Sequence, residues 1–102
     1  SYSMLIEKIE DKVRLHYYSA EYNGSTTRIV REHVIENDVM TQTRIIATNQ
    51  NIDYIKAIST NEIYVCGKEE VTNYSIIQKI TDTKLITIKN FENSNALLVC
   101  GQ

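Results

Sequence analysis

The chain has 102 residues and contains no proline, no tryptophan, one phenylalanine and only three glycines. Each shortage excludes something. No apolar run approaches the roughly 18 residues that a membrane-spanning helix needs, so no membrane association is expected. Gly24, Gly67 and Gly101 are too scattered to form a phosphate-cradling loop. There is no His-Glu-x-x-His run and no glycine-flanked serine nucleophile, so no catalytic residue is assigned and an enzyme is not expected. The two cysteines, Cys66 and Cys100, have no His or Cys at metal-ligand spacing nearby, which leaves no local zinc motif and no implied metal or cofactor. Each ends an apolar stretch before a glycine and reads as a buried, reduced thiol.

What is present is equally skewed. Isoleucine occurs 15 times, asparagine 9, lysine 7 and tyrosine 7, while Gly, Ala, Arg and Pro together supply 11 residues. The first group is encoded by AT-rich codons, so the missing prolines reflect an AT-rich genome before they reflect structure. Hydrophobic content of 42%, charged content of 24% and a net charge of −2 are those of one ordinary globular domain spanning residues 1–102. Without a basic-then-apolar leader it reads as a cytoplasmic protein. Ser1, Tyr2 and Ser3 ahead of Met4 have the form of an expression scar.

Patterning predicts an all-β domain: a small antiparallel barrel, sandwich or meander. Val13, Leu15 and Tyr17 alternate with Arg14 and His16, as a half-buried strand requires. Asn23-Gly24 follows, and such a pair suits a two-residue hairpin turn because both positions tolerate positive φ. Residues 25–35 read as the return strand, 36–38 as the next turn and 39–48 as the third strand. Further strands are expected at 52–58, 63–66, 85–88 and 96–99, separated by turns at 48–51, 59–62, 81–84 and 92–95. Two stretches compete as short helices. Leu5, Ile6, Ile9 and Val13 have helical spacing, and so do Val71, Tyr74, Ile77 and Ile80 behind the acidic pair Glu69-Glu70. Their β-branched content limits the expectation to one or two short helices, the second being favoured.

Asn61-Glu-Ile-Tyr-Val-Cys-Gly67 recurs as Asn95-Ala-Leu-Leu-Val-Cys-Gly101. This segment resembles a strand of a kelch-type or WD-type propeller blade, although tryptophan and paired glycines are absent. The resemblance implies a subunit or fragment of a propeller-like array. Val13, Leu15, Tyr17 and Ser19, followed by Gly24, Thr27, Arg28 and Val30, are similar to the opening strands of WYL domains, β modules that sense ligands or nucleic acids. The Trp-Tyr-Leu signature is missing, and no functional residue is carried over.

Positive charge is distributed unevenly. All four arginines and both histidines lie between Arg14 and Arg44, a stretch without lysine. A two-residue Asn23-Gly24 turn places Arg14 opposite His33 and His16 opposite Arg31, with Val13, Tyr17, Val30 and Val34 facing the core. A second such turn at Asn37-Asp38 places Arg44 opposite Arg31. Arg14, His16, Arg31, His33 and Arg44 then share one face as the candidate ligand-binding residues, with Arg28 on the other. The direct Arg31–Arg44 opposition demands either a slipped register or a bound anion. The functional expectation is a non-enzymatic interaction module that binds a protein partner or a second copy of itself. The alternative is nucleic-acid or other anion binding through the five cations, which the overall acidity disfavours.

Overall fold

A computed structural model describes residues 1–23, 27–49, 51–69, 71–81 and 84–93. Eight strands follow one another: β1 (Tyr2–Ile9), β2 (Lys12–Asn23), β3 (Thr27–Glu36), β4 (Val39–Asn49), β5 (Asn51–Ser59), β6 (Glu62–Lys68), β7 (Ser75–Thr81) and β8 (Lys84–Phe91). They form two consecutive four-stranded antiparallel meanders, β1-β2-β3-β4 and β5-β6-β7-β8, and neither closes into a barrel. The all-β expectation holds. The strand expected at 96–99, and Cys100 with it, lies outside the described residues. Cys66 is buried. No helix among the described residues is long and apolar enough to cross a membrane.

Neither helical stretch forms. Leu5, Ile6 and Ile9 belong to β1, where period-two alternation puts Ser3 and Leu5 inward and Met4 and Ile6 outward. In the second stretch the threefold spacing is broken at its start. Val71 is 90% exposed in a turn that is closed by backbone bonds from Glu69 N–H to Tyr74 C=O and from Asn73 N–H to Glu69 C=O. Asn73 takes a left-handed φ of 61° there, and the isoleucines that follow enter β7. Chains of Ile, Val and Thr pack better on a pleated surface than in a helix, and tertiary burial decides between the two.

The two meanders pack on each other. Tyr18, Val30 and Ile46 of the first meet Ile52, Ile55, Ala57, Ile63, Val65 and Ile80 of the second in one core cluster. Strand β5 lies against β1 and β2, and β8 meets β4. The β5 edge is protected by hydroxyls from β1 and its neighbour. Ser1 Oγ accepts the Ile55 N–H at 3.1 Å, and Ser3 Oγ accepts that of Ala57 at 2.9 Å. Edge donors would otherwise be open to pairing with another chain. Residues 1–3, whatever their origin, therefore take part in the fold.

Turns set the registers. Asn37 and Asp38 both have positive φ, 51° and 65°, and join Glu36 to Val39 as the expected two-residue turn. Thr60-Asn61 likewise joins Ser59 to Glu62. The β2–β3 hairpin forms, but its register differs from a two-residue Asn23-Gly24 turn. Asn23 pairs with Thr27, so three residues (24–26, outside the described set) separate the strands. Tyr17 accordingly faces His33 instead of Val30, and Leu15 faces Ile35 instead of Glu32.

The β1–β2 turn is less suited to its residues. Glu10 holds φ 55° with a full side chain, a conformation that costs about 1 kcal/mol relative to glycine. Glu10→Gly is expected to raise the unfolding free energy by about 1 kcal/mol. A urea titration checks this, with the midpoint moving up at unchanged slope. An unchanged or lower midpoint contradicts it.

Candidate functional site

The hairpin register sorts the first sheet into two chemically distinct faces. Side chains alternate along each strand, so a three-residue shift moves every β3 side chain to the other side relative to β2. Arg14 and His16 therefore do not share a face with Arg31 and His33. The inner face, toward the second sheet, carries Arg14, His16 and Tyr18 of β2, Glu32, Val34 and Glu36 of β3, and Arg44 of β4. Arg28 lies on this face as well, its guanidinium donating to the Ile52 carbonyl at 2.8 Å and stacking 4.1 Å from the Tyr22 ring centre. Arg31 and His33 lie on the outer face. The single five-cation surface expected from the sequence is thus split three and two.

The Arg31–Arg44 clash is resolved by slippage. Strand β4 is bulged between the partners of Val30 and Arg31, and again between those of Val34 and Ile35. The bulge nearer the turn places Arg44 opposite Glu32 and Ile45 opposite Arg31.

Each candidate cation faces a carboxylate. Arg14 donates through Nε and Nη2 to Glu36 Oε1 at 3.1 and 2.8 Å. That contact raises the Arg14 pKa and holds the Glu36 carboxyl below its usual range. Arg44 Nε donates to Glu32 Oε1 at 2.7 Å. His16 bonds Glu7 through Nε2, and its Nδ1 lies 3.5 Å from Glu32 Oε2. On the outer face Arg31 Nε donates to Glu21 Oε2 at 3.0 Å, while His33 Nε2 sits 3.8 Å from Glu21 Oε1. Hydrogen bonding from Arg31, against some burial, lowers the Glu21 carboxyl. No group of His, Cys, Asp and Glu among the described residues is arranged to hold a metal ion.

Glu32 is the centre of the inner network and is only 4% exposed. Burial pushes its carboxyl up, but Tyr18, Arg44 and His16 together outweigh that and leave it lowered. The adjoining Tyr18 hydroxyl is raised by burial first and by Glu32 second. That hydroxyl and His16 Nδ1 are buried without a well-aligned hydrogen bond, so the network is tight but incompletely satisfied. Between this network and the Thr60-Asn61 turn lies an open cleft of about 590 Å³.

The outer face has a different character. Tyr2, Met4 and Ile6 of β1, Val13 of β2, and Met40 and Ile45 of β4 are all exposed on it, Ile6 by 74%. Ile6, Leu15, Ile35 and Met40 form one apolar row across all four strands. Ile6, Val13, Leu15 and Ile35 line a groove of about 410 Å³ that ends at the Asn37-Asp38 turn. Beside it Tyr2 stacks on Tyr17 with ring centres 5.6 Å apart, and Tyr17 meets His33 at 5.9 Å. Sequence reading assigned Val13 and Tyr17 to the core and so missed this surface. The chain matches no family model, no curated protein and no solved structure.

The ion-paired carboxylates of both faces give stability a defined acid dependence. Glu32, Glu21 and Glu36 all have lowered carboxyls in the folded state. Their contribution is therefore complete above the ordinary carboxylate value near 4.5 and is lost as pH falls through the folded values. Glu32→Gln should cost about 2 kcal/mol at pH 7, because Arg44 loses a buried counter-charge. It should also flatten the decline in stability below pH 4.5, as read from urea midpoints at several pH values. A variant with the wild-type acid slope contradicts the assignment.

Proposed function

We propose that this protein is a non-enzymatic interaction module whose contact surface is the outer face of the β1–β4 sheet, with a protein as its partner. The observation carrying this reading is the contiguous run of exposed apolar side chains on a sheet whose other face already packs into the core. Tyr2, Met4, Ile6, Val13, Met40 and Ile45 are each at least 45% exposed in this patch, and clustered apolar side chains of this kind mark interaction surfaces. Its aromatic members also suit an interface. Tyr2 and Tyr17 are stacked, and tyrosines with few rotatable bonds lose little entropy when a partner covers them. The alternative, anion or nucleic-acid binding through Arg14, His16, Arg31, His33 and Arg44, has less support, because each of the five already faces a carboxylate.

A second reading has one specific observation in its favour. Two successive four-stranded meanders, stacked with β5 near β1 and β8 against β4, have the arrangement of neighbouring propeller blades. In that reading the outer face of the first sheet is covered by a further sheet of the same kind, so both readings require a β surface to be covered there.

A benzophenone-bearing residue introduced at Met4 tests the contact surface. Irradiation in native extract is expected to give a protein adduct of discrete mass, and the same group at Lys56 on the second sheet should give none. Absence of any adduct from Met4 contradicts the reading.

A further inference from the structure

We infer that the outer face of the β1–β4 sheet pairs with the same face of a second copy of this chain, about a two-fold axis parallel to the strands. The inference rests on the interaction reading above and names the occupant of that surface. Three observations favour a second copy.

The first is the pattern across the sheet. A two-fold axis along the strands lays β1 of one copy over β4 of the other and β2 over β3, while keeping each cross-strand row in place. In the row Ile6–Leu15–Ile35–Met40 every position is apolar, so Ile6 meets Met40 of the partner subunit and Leu15 meets Ile35 of the partner subunit. In the row Tyr2–Ser19–Arg31–Ile45 the two ends are apolar and the two middle positions polar. Tyr2 then covers Ile45 of the partner subunit, and Ser19 lies over the partner subunit's Arg31. Both rows are self-complementary under this one operation.

The second is charge. Lys8, Glu21 and Arg31 are the formally charged residues of this face, with His33 3.8 Å from Glu21, and Glu21 and Arg31 neutralise each other at 3.0 Å. A nearly neutral face does not repel its own copy, and it offers a strongly acidic or basic partner no complementary field. Arg14, His16, Arg28 and Arg44 are on the inner face and outside the contact.

The third is area. A stable dimer buries about 800 Å² on each partner, and this contact draws on all four strands of the first sheet, with exposed apolar side chains on both of its edge strands. The result would be a four-layer stack in which the two first sheets form the centre and each second sheet caps one end.

Sedimentation of the purified protein, with no other component, tests this directly. The expected species has twice the 11.8 kDa chain mass at concentrations on the order of 10 µM. Ile6→Asp and Met40→Asp each change an exposed side chain on this face, so the fold should be retained, which the far-ultraviolet circular dichroism of each variant checks. Each should weaken association by about 10-fold or more. Mixing Ile6→Cys with Met40→Cys under oxidising conditions should give a disulfide-linked pair, since the two-fold axis opposes those positions. A protein that stays monomeric up to about 500 µM overturns the inference, because interfaces of this size hold at micromolar levels. A dimer that persists unchanged in both aspartate variants also overturns it. If the purified chain is monomeric while the Met4 adduct contains a different protein, the self-pairing fails and the interaction reading stands. If no adduct forms and the chain is monomeric, both fail.

Discussion

Because side chains alternate along a strand, the pairing of β2 with β3 decides which residues of the first sheet are buried and which reach solvent. With Tyr17 opposite His33, one side collects Tyr18, Val30, Glu32 and Val34, and the other collects Leu15, Tyr17, Arg31 and Ile35. The first side packs on the second sheet. A slip by one residue would exchange the sets on β3 and bury Arg31 and His33 in place of Glu32 and Val34. The core, the ion pairs and the apolar outer face are therefore consequences of one register.

The inner network supplies much of the specificity of that register. A carboxylate as buried as Glu32 costs several kcal/mol unless it is paired, and alternative pairings would leave it without Arg44, His16 or Tyr18. Arg14 contributes in the same way between Glu7 and Glu36 on neighbouring strands. The two bulges in β4 belong to this arrangement, since they bring Arg44 to Glu32 and let Ile46 enter the core. Polar groups inside the sandwich thus limit how the strands can align, while Ile, Val and Tyr supply the burial that stabilises it.

Strands β2 to β6, β8 and most turns were legible in the sequence, because alternation and turn chemistry are local. Asn37-Asp38 and Thr60-Asn61 fall where Asn and Asp tolerate the needed φ or close the loop. β1 and β7 were ambiguous because isoleucines three apart fall on one helical face, whereas in the strand that forms they sit on opposite faces, as Ile77 and Ile80 do. The candidate site was less legible, for an identifiable reason. β3 is apolar on both parities, with Ile29 and Ile35 on one and Val30 and Val34 on the other, so alternation could not decide which side faces the core. The number of residues in the Asn23–Thr27 connection then carried the whole decision. One signal was available: Glu32 lies between Arg31 and His33 in a strand and must point away from both. Pairing it with the cations of β2 and β4 would have favoured the observed register over one that sets Arg14 against His33.

Cross-strand nuclear Overhauser contacts between β2 and β3 read this register out, and contacts joining Tyr17 to His33 and Leu15 to Ile35 are expected. Contacts joining Tyr17 to Val30 and Leu15 to Glu32 would contradict it, and would return Arg14, His16, Arg31 and His33 to a single face.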